Sequence, residues 1–408
     1  MEMYMKHVSH TSLLVKNGMV YIKGELLRKN ILVEDGKIAK IMPTSGKTRT
    51  DDAINANNMM VIPGVIDPHV HFREPGMTHK EDFRSGSFAA AAGGVTSVLD
   101  MPNTRPPTLT KELLDEKGAL AARKAVVNFG FHFGSSLENL EEIKMVKGVA
   151  SVKIFMDAST GSMLIEDENV IRKIIEASRI TAIHAEAGNA KKAIDVAHAL
   201  GKKFYLCHAS EKMEIEYVRR NGKENIFVEV TPHHLFLTAK DQNKLIKMKP
   251  SLKSERDRAT LWSALNDGTI DALGSDHAPH TLEEKEAGDV YGVPGVETSL
   301  PLMLDAVNRR RLTLKRLVET MCENPAKIFM LKNKGFIKEG FDADLTIIDM
   351  KLRKKIRNDE LFTKCGWSPF EGFELRGWPV KTIVNGNVVF GDGEVRDKVK
   401  GREVEVHR

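Results

Sequence analysis

Residues 61–71 read Val-Ile-Pro-Gly-Val-Ile-Asp-Pro-His-Val-His, an apolar run that ends in two histidines separated by one residue. An apolar run of this length predicts a buried strand, which we place at Val61–His69. Side chains two positions apart on a strand point to the same side, so His69 and His71 can converge on one cation. A single His-x-His pair is a weak signal for a metal site, and its meaning depends on the rest of the chain.

Short apolar runs continue downstream, and they alternate with amphipathic segments of helical length. This alternation predicts an α/β protein built from βα units around a parallel sheet. Eight such runs can be counted, and eight parallel strands close a (β/α)8 barrel. The predicted strands are Val61–His69, Val95–Met101, Val126–Phe133, Ser151–Met156, Thr181–Ala185, Lys203–His208, Ile226–Thr231 and Ile270–Ser275. The predicted connecting helices include Lys80–Ala92, Lys111–Lys124 and Arg256–Asn266.

Both ends of the chain have a different pattern, with short β-like runs interrupted by turn residues. Asp35-Gly36 separates two such runs near the N-terminus, and Asn385-Gly386 separates two near the C-terminus. Both dipeptides are strong signals for a two-residue hairpin turn. We therefore predict that residues 1–60 and 333–408 together form a small β-sandwich domain, and that residues 61–332 form the barrel.

The composition argues against several classes of function. Lys and Arg number 61 against 56 Asp and Glu, and the net charge of +5 is not gathered into a polybasic block that would attract nucleic acid. Residues 1–12 contain no apolar core of signal-peptide length, and no apolar run is long enough to span a membrane. Three scattered cysteines, Cys207, Cys322 and Cys365, argue against a disulfide framework. We expect a cytoplasmic enzyme that acts on a small molecule, with no nucleic-acid or membrane partner.

Polar residues gather where the predicted strands end, which on a barrel is the face that carries chemistry. Besides the first pair, His184 ends the fifth strand, His208 ends the sixth and Asp276 follows the eighth. Imidazole nitrogens and carboxylate oxygens are the usual zinc ligands, so their convergence at one mouth predicts a zinc site. Lys153 ends the fourth strand. A lysine that has taken up CO2 is an anionic carbamate, which can bridge two metal ions.

The motifs of the chain resemble those of the amidohydrolase superfamily, in the branch that contains dihydroorotases, allantoinases and hydantoinases. The resemblance covers nearly the whole chain, and it implies a TIM-barrel hydrolase that opens or closes cyclic amides. The motifs that carry it include residues 61–76, Lys80-Glu-Asp-Phe, Met101-Pro-Asn-Thr, Val230-Thr-Pro-His-His-Leu, Gly274-Ser-Asp-His-Ala-Pro-His, Asn324-Pro-Ala-Lys-Ile-Phe and Pro369-Phe-Glu-Gly.

The same resemblance implies two Zn2+ ions per subunit. The implied ligands are His69, His71 and Asp276 for one ion, His184 and His208 for the other, and a carboxylated Lys153 that bridges both together with a hydroxide. Asp276 is also the implied catalytic residue. A positioned carboxylate can take the proton released on attack and deliver it to the departing ring nitrogen.

A few side chains decide the substrate within this branch. Dihydroorotate carries a carboxylate that hydantoins and allantoin lack, and the resemblance implies that Arg73 and Asn103 bind it, because a guanidinium can fork onto a carboxylate. His280 resembles another carboxylate-binding position, and Pro294 and Gly295 resemble a segment that makes backbone contacts with the ring. The implied substrates are N-carbamoyl-L-aspartate and L-dihydroorotate, in pyrimidine biosynthesis. An allantoinase or hydantoinase is the alternative.

Three other features receive a structural or accessory interpretation. The loop after the fourth strand resembles a lid, so Ser159 and Thr160 are expected to contact substrate. His233 and His234 are expected to make structural hydrogen bonds rather than to bind metal. Cys207 is expected to be an inert packed residue that points away from the neighbouring metal ligand.

Two questions stay open at the level of the sequence. A catalytically silent homologue that acts as a scaffold is the rival hypothesis from another class of function, and measurement of metal content would separate it from an enzyme. The sequence also leaves open whether the chain forms a homo-oligomer or associates with an aspartate carbamoyltransferase.

Overall fold

The computed structural model describes residues 12–46, 48–158, 163–288 and 290–407. The strands are β1 Ser12–Ile22, β2 Glu25–Glu34, β3 Lys37–Met42, β4 Asp52–Asn55, β5 Met60–Pro63, β6 Val65–Val70, β7 Val95–Asp100, β8 Asn128–Phe131, β9 Phe133–Gly134, β10 Val152–Phe155, β11 Ile180–His184, β12 Lys203–Leu206, β13 Ile226–Val230, β14 Ala272–Leu273, β15 Leu345–Lys355, β16 Glu374–Val384, β17 Asn387–Gly391 and β18 Glu394–Val395.

Helices occupy most of the connections between these strands. They are α1 Phe83–Ala92, α2 Lys111–Lys124, α3 Leu140–Met145, α4 Glu168–Ala177, α5 Ala187–Ala199, α6 Lys212–Asn221, α7 Pro232–Phe236, α8 Glu255–Asp267, α9 Leu282–Ala287, α10 Ser299–Asn308, α11 Leu314–Val318 and α12 Asn324–Ile328. Shorter helical turns lie at Ala239–Asp241, Glu319–Glu323 and Asn358–Glu360. None of the helices in the described ranges is long and apolar enough to cross a membrane.

The two ends of the chain share one sheet. Its strands follow the order β18-β17-β16-β15-β5-β1-β2-β3, and β4 pairs with β1. The predicted turns at Asp35-Gly36 and Asn385-Gly386 are confirmed, because each dipeptide connects two paired antiparallel strands. All four turn residues have positive φ, between 47° and 79°, which is the conformation that two-residue hairpins of matching twist require.

The barrel is formed by parallel strands that pair in sequence order. β6, β7 and β8 form one sheet, and β9 to β14 form a second. β8 and β9 are separated only by His132 and together count as one strand of the barrel. A bridge between Val70 and His277 connects the end of the barrel to its first strand. The predicted TIM barrel with a β-rich region from both termini is confirmed. The predicted sandwich stays a prediction, because the described strands of this region belong to one sheet.

The first predicted strand is wrong in one respect. Val61–His69 is not a single strand, because β5 pairs with β15 of the terminal sheet whereas β6 pairs with β7 of the barrel. Gly64 separates the two strands. A Cβ atom at this position would lie 2.2 Å from Oγ1 of Thr96 and 2.8 Å from Cβ of Asp344. Only a residue without a side chain fits where the chain passes from one sheet to the other.

Helix boundaries follow the capping residues. The predicted helix Lys80–Ala92 begins only at Phe83, because the Asp82 side chain accepts the backbone N–H groups of Arg84 and Ser85 and so caps the helix. Helix α2 has the predicted bounds, with Thr110 as its cap, and α8 exceeds its predicted range by one residue at each end.

A buried polar cluster joins the terminal sheet to the barrel. The carboxylate of Asp344, at the start of β15, accepts hydrogen bonds from Nδ2 of Asn128 at 3.0 Å, from Nζ of Lys334 at 2.6 Å and from the backbone N–H of Asn385 at 2.7 Å. Because each donor comes from a different part of the chain, this carboxylate fixes the β6-β7-β8 sheet of the barrel against the terminal sheet.

Candidate metal centre and substrate pocket

The predicted metal ligands lie together at the C-terminal ends of the barrel strands. All six side chains are buried. They are His69 in β6, His71 directly after it, Lys153 in β10, His184 at the end of β11, His208 after β12 and Asp276 after β14. Parallel strands of a closed barrel end at one face, which explains how residues so distant in sequence become neighbours.

One cluster contains two imidazoles and a carboxylate. Nε2 of His71 lies 3.0 Å from Oδ1 of Asp276, and Nε2 of His69 lies 3.4 Å from the same oxygen. A ligand atom from each of the three residues lies within 4.8 Å of the others. Zinc sits about 2.0–2.2 Å from such atoms, so this spacing fits a single cation.

His184 and His208 form a second pair. Nδ1 of His184 lies 2.9 Å from Nε2 of His208, whereas His184 Nε2 and His208 Nδ1 are buried and have no hydrogen-bond partner among the described residues. Buried polar atoms are almost always satisfied in folded proteins. The two nitrogens that face each other, Nδ1 of His184 and Nε2 of His208, have a spacing that fits a shared metal ion, whereas the unsatisfied atoms are the other nitrogen of each ring.

Lys153 is enclosed within the barrel, close to both groups of histidines. Its Nζ lies 3.0 Å from Sγ of Cys207. Cys207 also belongs to a second group with metal-ligating atoms within 4.8 Å of one another, together with His69 and Glu229. The prediction that Cys207 points away from the metal ligands is therefore wrong, because β12 ends at Leu206 and strand alternation no longer governs the next residue.

Glu229 contacts the ring nitrogen of His69 that faces away from Asp276. It was not predicted from the sequence. Its Oε1 lies 2.8 Å from Nδ1 of His69 and also accepts the backbone N–H of His208, while Oε2 accepts the hydroxyl of Tyr205 at 2.8 Å. A carboxylate on the distal nitrogen of an imidazole orients the ring and raises its basicity as a ligand. The signal in the sequence was an acidic residue inside the apolar strand Ile226–Val230.

The side-chain carboxylate of Asp67 holds the first barrel strand against the last through hydrogen bonds from two backbone N–H groups. Oδ1 of Asp67 accepts the backbone N–H groups of His69 and Ser275. Asp276, the next residue along, has a φ of 46°, and His208 and Arg73 also have positive φ, at 38° and 64°. Non-glycine residues rarely adopt this conformation, and such strain is concentrated at functional sites.

The electrostatics keep most of the imidazoles neutral. Burial lowers the pKa of His71 to about 4, and burial together with the charge of Lys153 lowers the pKa of His184 to about 3. A neutral imidazole retains the lone pair that a metal needs. Burial acts to raise the pKa of Asp276, but the charge of His69 and the hydrogen bond from His71 outweigh it and hold the pKa of this carboxyl well below its usual value.

Arg73 is a buried cation beside the first cluster. Its Nε donates to the carbonyl oxygen of Pro279 at 3.1 Å, and its Nη2 lies 3.1 Å from Nε2 of His280. In the described ranges Arg73 forms no ion pair with a carboxylate, and although burial lowers its pKa to about 10, the group stays charged at neutral pH. Burying a charge without a partner is costly, so this guanidinium is matched to an anionic ligand.

His280 connects Arg73 to a second cation. Its Nδ1 lies 3.1 Å from Nζ of Lys80, which is also 3.0 Å from Oε1 of Glu284. Lys80 was not predicted as part of the site. The structure thus brings together Arg73 and His280, two of the predicted substrate residues, and adds a lysine behind them.

Asn103 lies at the pocket, but it contacts His71, whereas the resemblance implied that it binds the substrate carboxylate. Its Oδ1 is 2.7 Å from Nδ1 of His71, so the amide oxygen orients a metal-ligand candidate. The Pro294-Gly295 segment also lies at the site, but the backbone N–H of Gly295 donates to Nδ1 of His277 at 3.1 Å. The amide of Gly295 is therefore engaged within the protein, which was not expected from the sequence.

His277 links this segment to the terminal region. Since its Nδ1 accepts a hydrogen bond, its Nε2 carries the proton, and this nitrogen lies 3.4 Å from Oε2 of Glu81. Glu81 in turn accepts the hydroxyl of Thr363 and the backbone N–H of Lys364. A loop of the C-terminal region thereby supports the wall of the pocket through Glu81, His277 and Gly295.

The remaining predictions concern the candidate lid and two adjacent histidines. The candidate lid residues Ser159 and Thr160 lie outside the described residues. His234 makes two structural hydrogen bonds, to Oγ1 of Thr231 at 2.8 Å and to the carbonyl oxygen of Pro250 at 3.1 Å. Nε2 of His233, in contrast, is buried without a hydrogen-bond partner in the described ranges.

A parallel barrel with a carboxylate and buried histidines at its mouth defines the class of barrel hydrolases. The family model described as "Amidohydrolase family" matches residues 60–389, and the chain belongs to this family. It is a hydrolase of cyclic amides, as predicted from the sequence.

Similar proteins support this assignment. The chain is 39% identical to the dihydroorotase of Pyrococcus abyssi over 96% of this chain and 98% of the relative, and 37% identical to that of Methanosarcina acetivorans over 94% and 93%. Among solved structures it is similar to the L-hydantoinase (dihydropyrimidinase) from Arthrobacter aurescens, with a TM-score of 0.92 and 31% identity over 96% of this chain and 99% of that chain.

Proposed function

We propose that the chain is a zinc-dependent dihydroorotase, which interconverts N-carbamoyl-L-aspartate and L-dihydroorotate in pyrimidine biosynthesis. The observation that carries the proposal is Arg73, a buried guanidinium at the barrel mouth with no carboxylate partner in the described ranges. Of the cyclic amides considered, dihydroorotate is the one that brings a carboxylate to pair with it. The dihydroorotases that match over nearly the whole chain support the same choice.

The donor set suits two zinc ions. We assign His69, His71 and Asp276 to one ion and the facing nitrogens, Nδ1 of His184 and Nε2 of His208, to the other. Lys153, in carboxylated form, would complete both sites. When bound, zinc would polarise the substrate carbonyl and lower the pKa of water, so that a nucleophile is available near neutral pH.

The side chains of the protein supply positioning and proton transfer. Arg73 and His280 hold the substrate carboxylate, which places the ring amide over the metal ligands. Asp276 is ionised in the resting state and can accept a proton at Oδ2 or Oδ1, then deliver it to the ring nitrogen as the amide bond breaks. In ring closure the same carboxylate would remove the proton from the attacking nitrogen. Ser159 and Thr160 are proposed as the contacts that cover the bound substrate.

Turnover of competing substrates tests the proposal. We expect the purified enzyme, loaded with zinc, to hydrolyse L-dihydroorotate and to cyclise N-carbamoyl-L-aspartate with a kcat/KM at least about 100-fold above that for hydantoin or allantoin, since an unpaired buried charge penalises uncharged substrates. A preference for hydantoin would instead favour the hydantoinase alternative. The similarity to the Arthrobacter aurescens enzyme is the reason to include this substrate.

A further inference from the structure

A second cavity lies between helix α10 and the strands β15 and β16. It has a volume of about 300 Å3, and none of its lining residues belongs to the candidate metal centre or substrate pocket. We call it the α10 cavity. Its lining residues are Asp305, Arg309, Arg353, Lys354, Lys355, Glu374, Leu375 and Arg376.

The lining of the α10 cavity has an excess of positive charge. Five of its residues are basic and two are acidic. Asp305 is already engaged, because Oδ2 lies 2.5 Å from Nε of Arg309 and Oδ1 accepts the backbone N–H of Arg376. Within the described part of the chain, the side chains of Arg353, Lys355 and Arg376 form no ion pair, so three cations share one face of the strand pair with the remaining carboxylate, Glu374, whereas Nζ of Lys354 lies 5.7 Å from the ring centre of Trp378.

Two of these cations are placed directly opposite each other. Arg353 in β15 and Arg376 in β16 are paired residues of an antiparallel ladder. Like charges in this relation repel each other and destabilise a sheet. The opposed arginines therefore destabilise the strand pair, and a ligand of opposite charge would reduce the repulsion between them.

Arg376 also carries an unsatisfied hydrogen-bond donor. Its Nε atom is buried and has no hydrogen-bond partner among the described residues. A guanidinium donor that is removed from water and left unsatisfied costs free energy, and few such atoms occur in folded proteins. Arg376 lines the α10 cavity and is the ladder partner of Arg353, although its Nε is itself covered by protein.

We propose that the α10 cavity binds a small anion that carries a diphosphate group. Guanidinium groups fork onto phosphate oxygens, and two arginines with Lys355 beside them match the several charges of a diphosphate better than the single charge of a carboxylate. A volume of about 300 Å3 lies at the small end of ligand sites and accommodates such a group. The diphosphate could be free or part of a nucleoside diphosphate. This proposal goes beyond the proposed function and does not depend on it.

Titration calorimetry of the zinc-loaded enzyme with sodium pyrophosphate at low ionic strength tests the proposal. We expect saturable binding of one pyrophosphate per chain, with affinity reduced at least about tenfold in Arg353→Gln and again in Arg376→Gln. The matched controls are Arg310→Gln and Lys351→Gln, which neutralise exposed basic residues close in sequence that do not line the cavity. These should bind within about twofold of the wild type, allowing for long-range screening.

Other outcomes would overturn the proposal. Absence of saturable binding, or equal weakening in the controls and the cavity variants, would mean that the cavity is an ordinary basic surface. Arg353 is exposed, so Arg353→Gln keeps the test valid if Arg376→Gln does not fold. A parallel titration with ADP separates the two sources of the diphosphate: equal affinity indicates recognition of the diphosphate alone, and tighter binding of ADP indicates contacts with the nucleoside as well.

Thermal unfolding provides a readout that does not depend on binding heats. Without ligand, Arg353→Gln should melt at a higher temperature than the wild type, because it removes the repulsion across the ladder. Pyrophosphate should raise the melting temperature of the wild type and leave that of Arg353→Gln nearly unchanged. A variant that is stabilised by pyrophosphate as strongly as the wild type would contradict the proposed site.

Discussion

Nζ of Lys153 lies 3.0 Å from Sγ of Cys207, and both side chains are fully buried among the histidines at the barrel mouth. The amine has no carboxylate partner within hydrogen-bond distance in the described ranges, although Glu229 and Asp276 lie in the same cluster of residues. A lysine in this position is suited to modification by CO2, which converts a buried cation into an anion beside metal ligands.

Replacement of Lys153 tests its role as a bridge. We expect Lys153→Ala to lose activity by at least about 100-fold, because an anionic ligand shared by two metal ions would be missing. Short carboxylates such as propionate should restore part of this activity, since they can occupy the space left by the side chain. Steady-state assays with and without propionate measure both effects, and full activity of Lys153→Ala would exclude the bridge.

Replacement of Arg73 tests the choice of substrate. Losing a bidentate contact to a buried carboxylate costs on the order of 2–5 kcal/mol, which corresponds to roughly 30-fold to several thousand-fold in kcat/KM for dihydroorotate. Arg73→Met should show this loss, and Arg73→Lys should recover little, because an ammonium cannot reproduce the planar fork. An uncharged cyclic imide provides the comparison. Equal losses for both substrates would mean that Arg73 supports the metal centre or the fold instead.

Removal of metal should affect both activity and stability. We expect elemental analysis to find two zinc ions per chain and a chelator to abolish turnover, with recovery on addition of Zn2+. The melting temperature should fall in parallel, because an ion that binds only the folded chain stabilises it. His184→Ala should retain less zinc than the wild type, since Nδ1 of His184 faces Nε2 of His208 at 2.9 Å. A metal-free enzyme with unchanged turnover would contradict the assignment.

The contact between Thr363 and Glu81 predicts an effect of the C-terminal region on substrate binding. Thr363→Val removes the hydroxyl that donates to Glu81, which faces His277 behind the Gly295 segment. We expect KM for dihydroorotate to rise by roughly 3- to 10-fold, with a smaller change in kcat, because the pocket wall is loosened while the metal ligands are untouched.

A second buried threonine is the matched control for this experiment. Thr382 lies in β16, and its hydroxyl donates to the carbonyl oxygen of Ala91 at 2.7 Å, away from the candidate substrate residues. Thr382→Val should cost a similar amount of stability, about 1 kcal/mol, and leave KM unchanged. If both variants changed KM equally, the effect would be one of general stability, and Thr363 would have no positioning role.

Glu297 predicts a dependence of stability on pH. Burial, with a contribution from the charge of Glu81, raises the pKa of Glu297 from 4.5 to about 8. Between these two values the unfolded chain releases a proton that the folded chain retains, so stability falls as pH rises, by up to about 1.4 kcal/mol per pH unit. Glu297→Gln should therefore be more stable than the wild type at pH 8, and this difference should shrink towards pH 5.

Chemical denaturation across this pH range measures the difference. The exposed Glu360, on a neighbouring loop, provides the control, and Glu360→Gln should follow the wild-type profile. A constant difference between Glu297→Gln and the wild type from pH 5 to pH 8 would show that ionisation of Glu297 does not govern stability in this range.

Much of this architecture could be read from the sequence. The alternation of apolar runs and amphipathic segments predicted the barrel, and two dipeptides predicted hairpins of the terminal sheet, because these are local patterns set by backbone geometry. The candidate ligands were found for a related reason. His184 and Asp276 stand at or just after the ends of predicted strands, and the geometry of a parallel barrel brings all such positions to one face.

Other relationships were decided only by the tertiary structure, because they join residues with no local pattern between them. Glu229 is 160 positions from His69, and Glu81 is 282 positions from Thr363, so no periodicity links either pair. Cys207 was misjudged since its direction depends on where β12 ends, and Gly64 divides a run that appears continuous because two sheets meet there. Sequence patterns report local backbone geometry and burial, whereas the partners of a buried polar group are determined by packing across the whole fold.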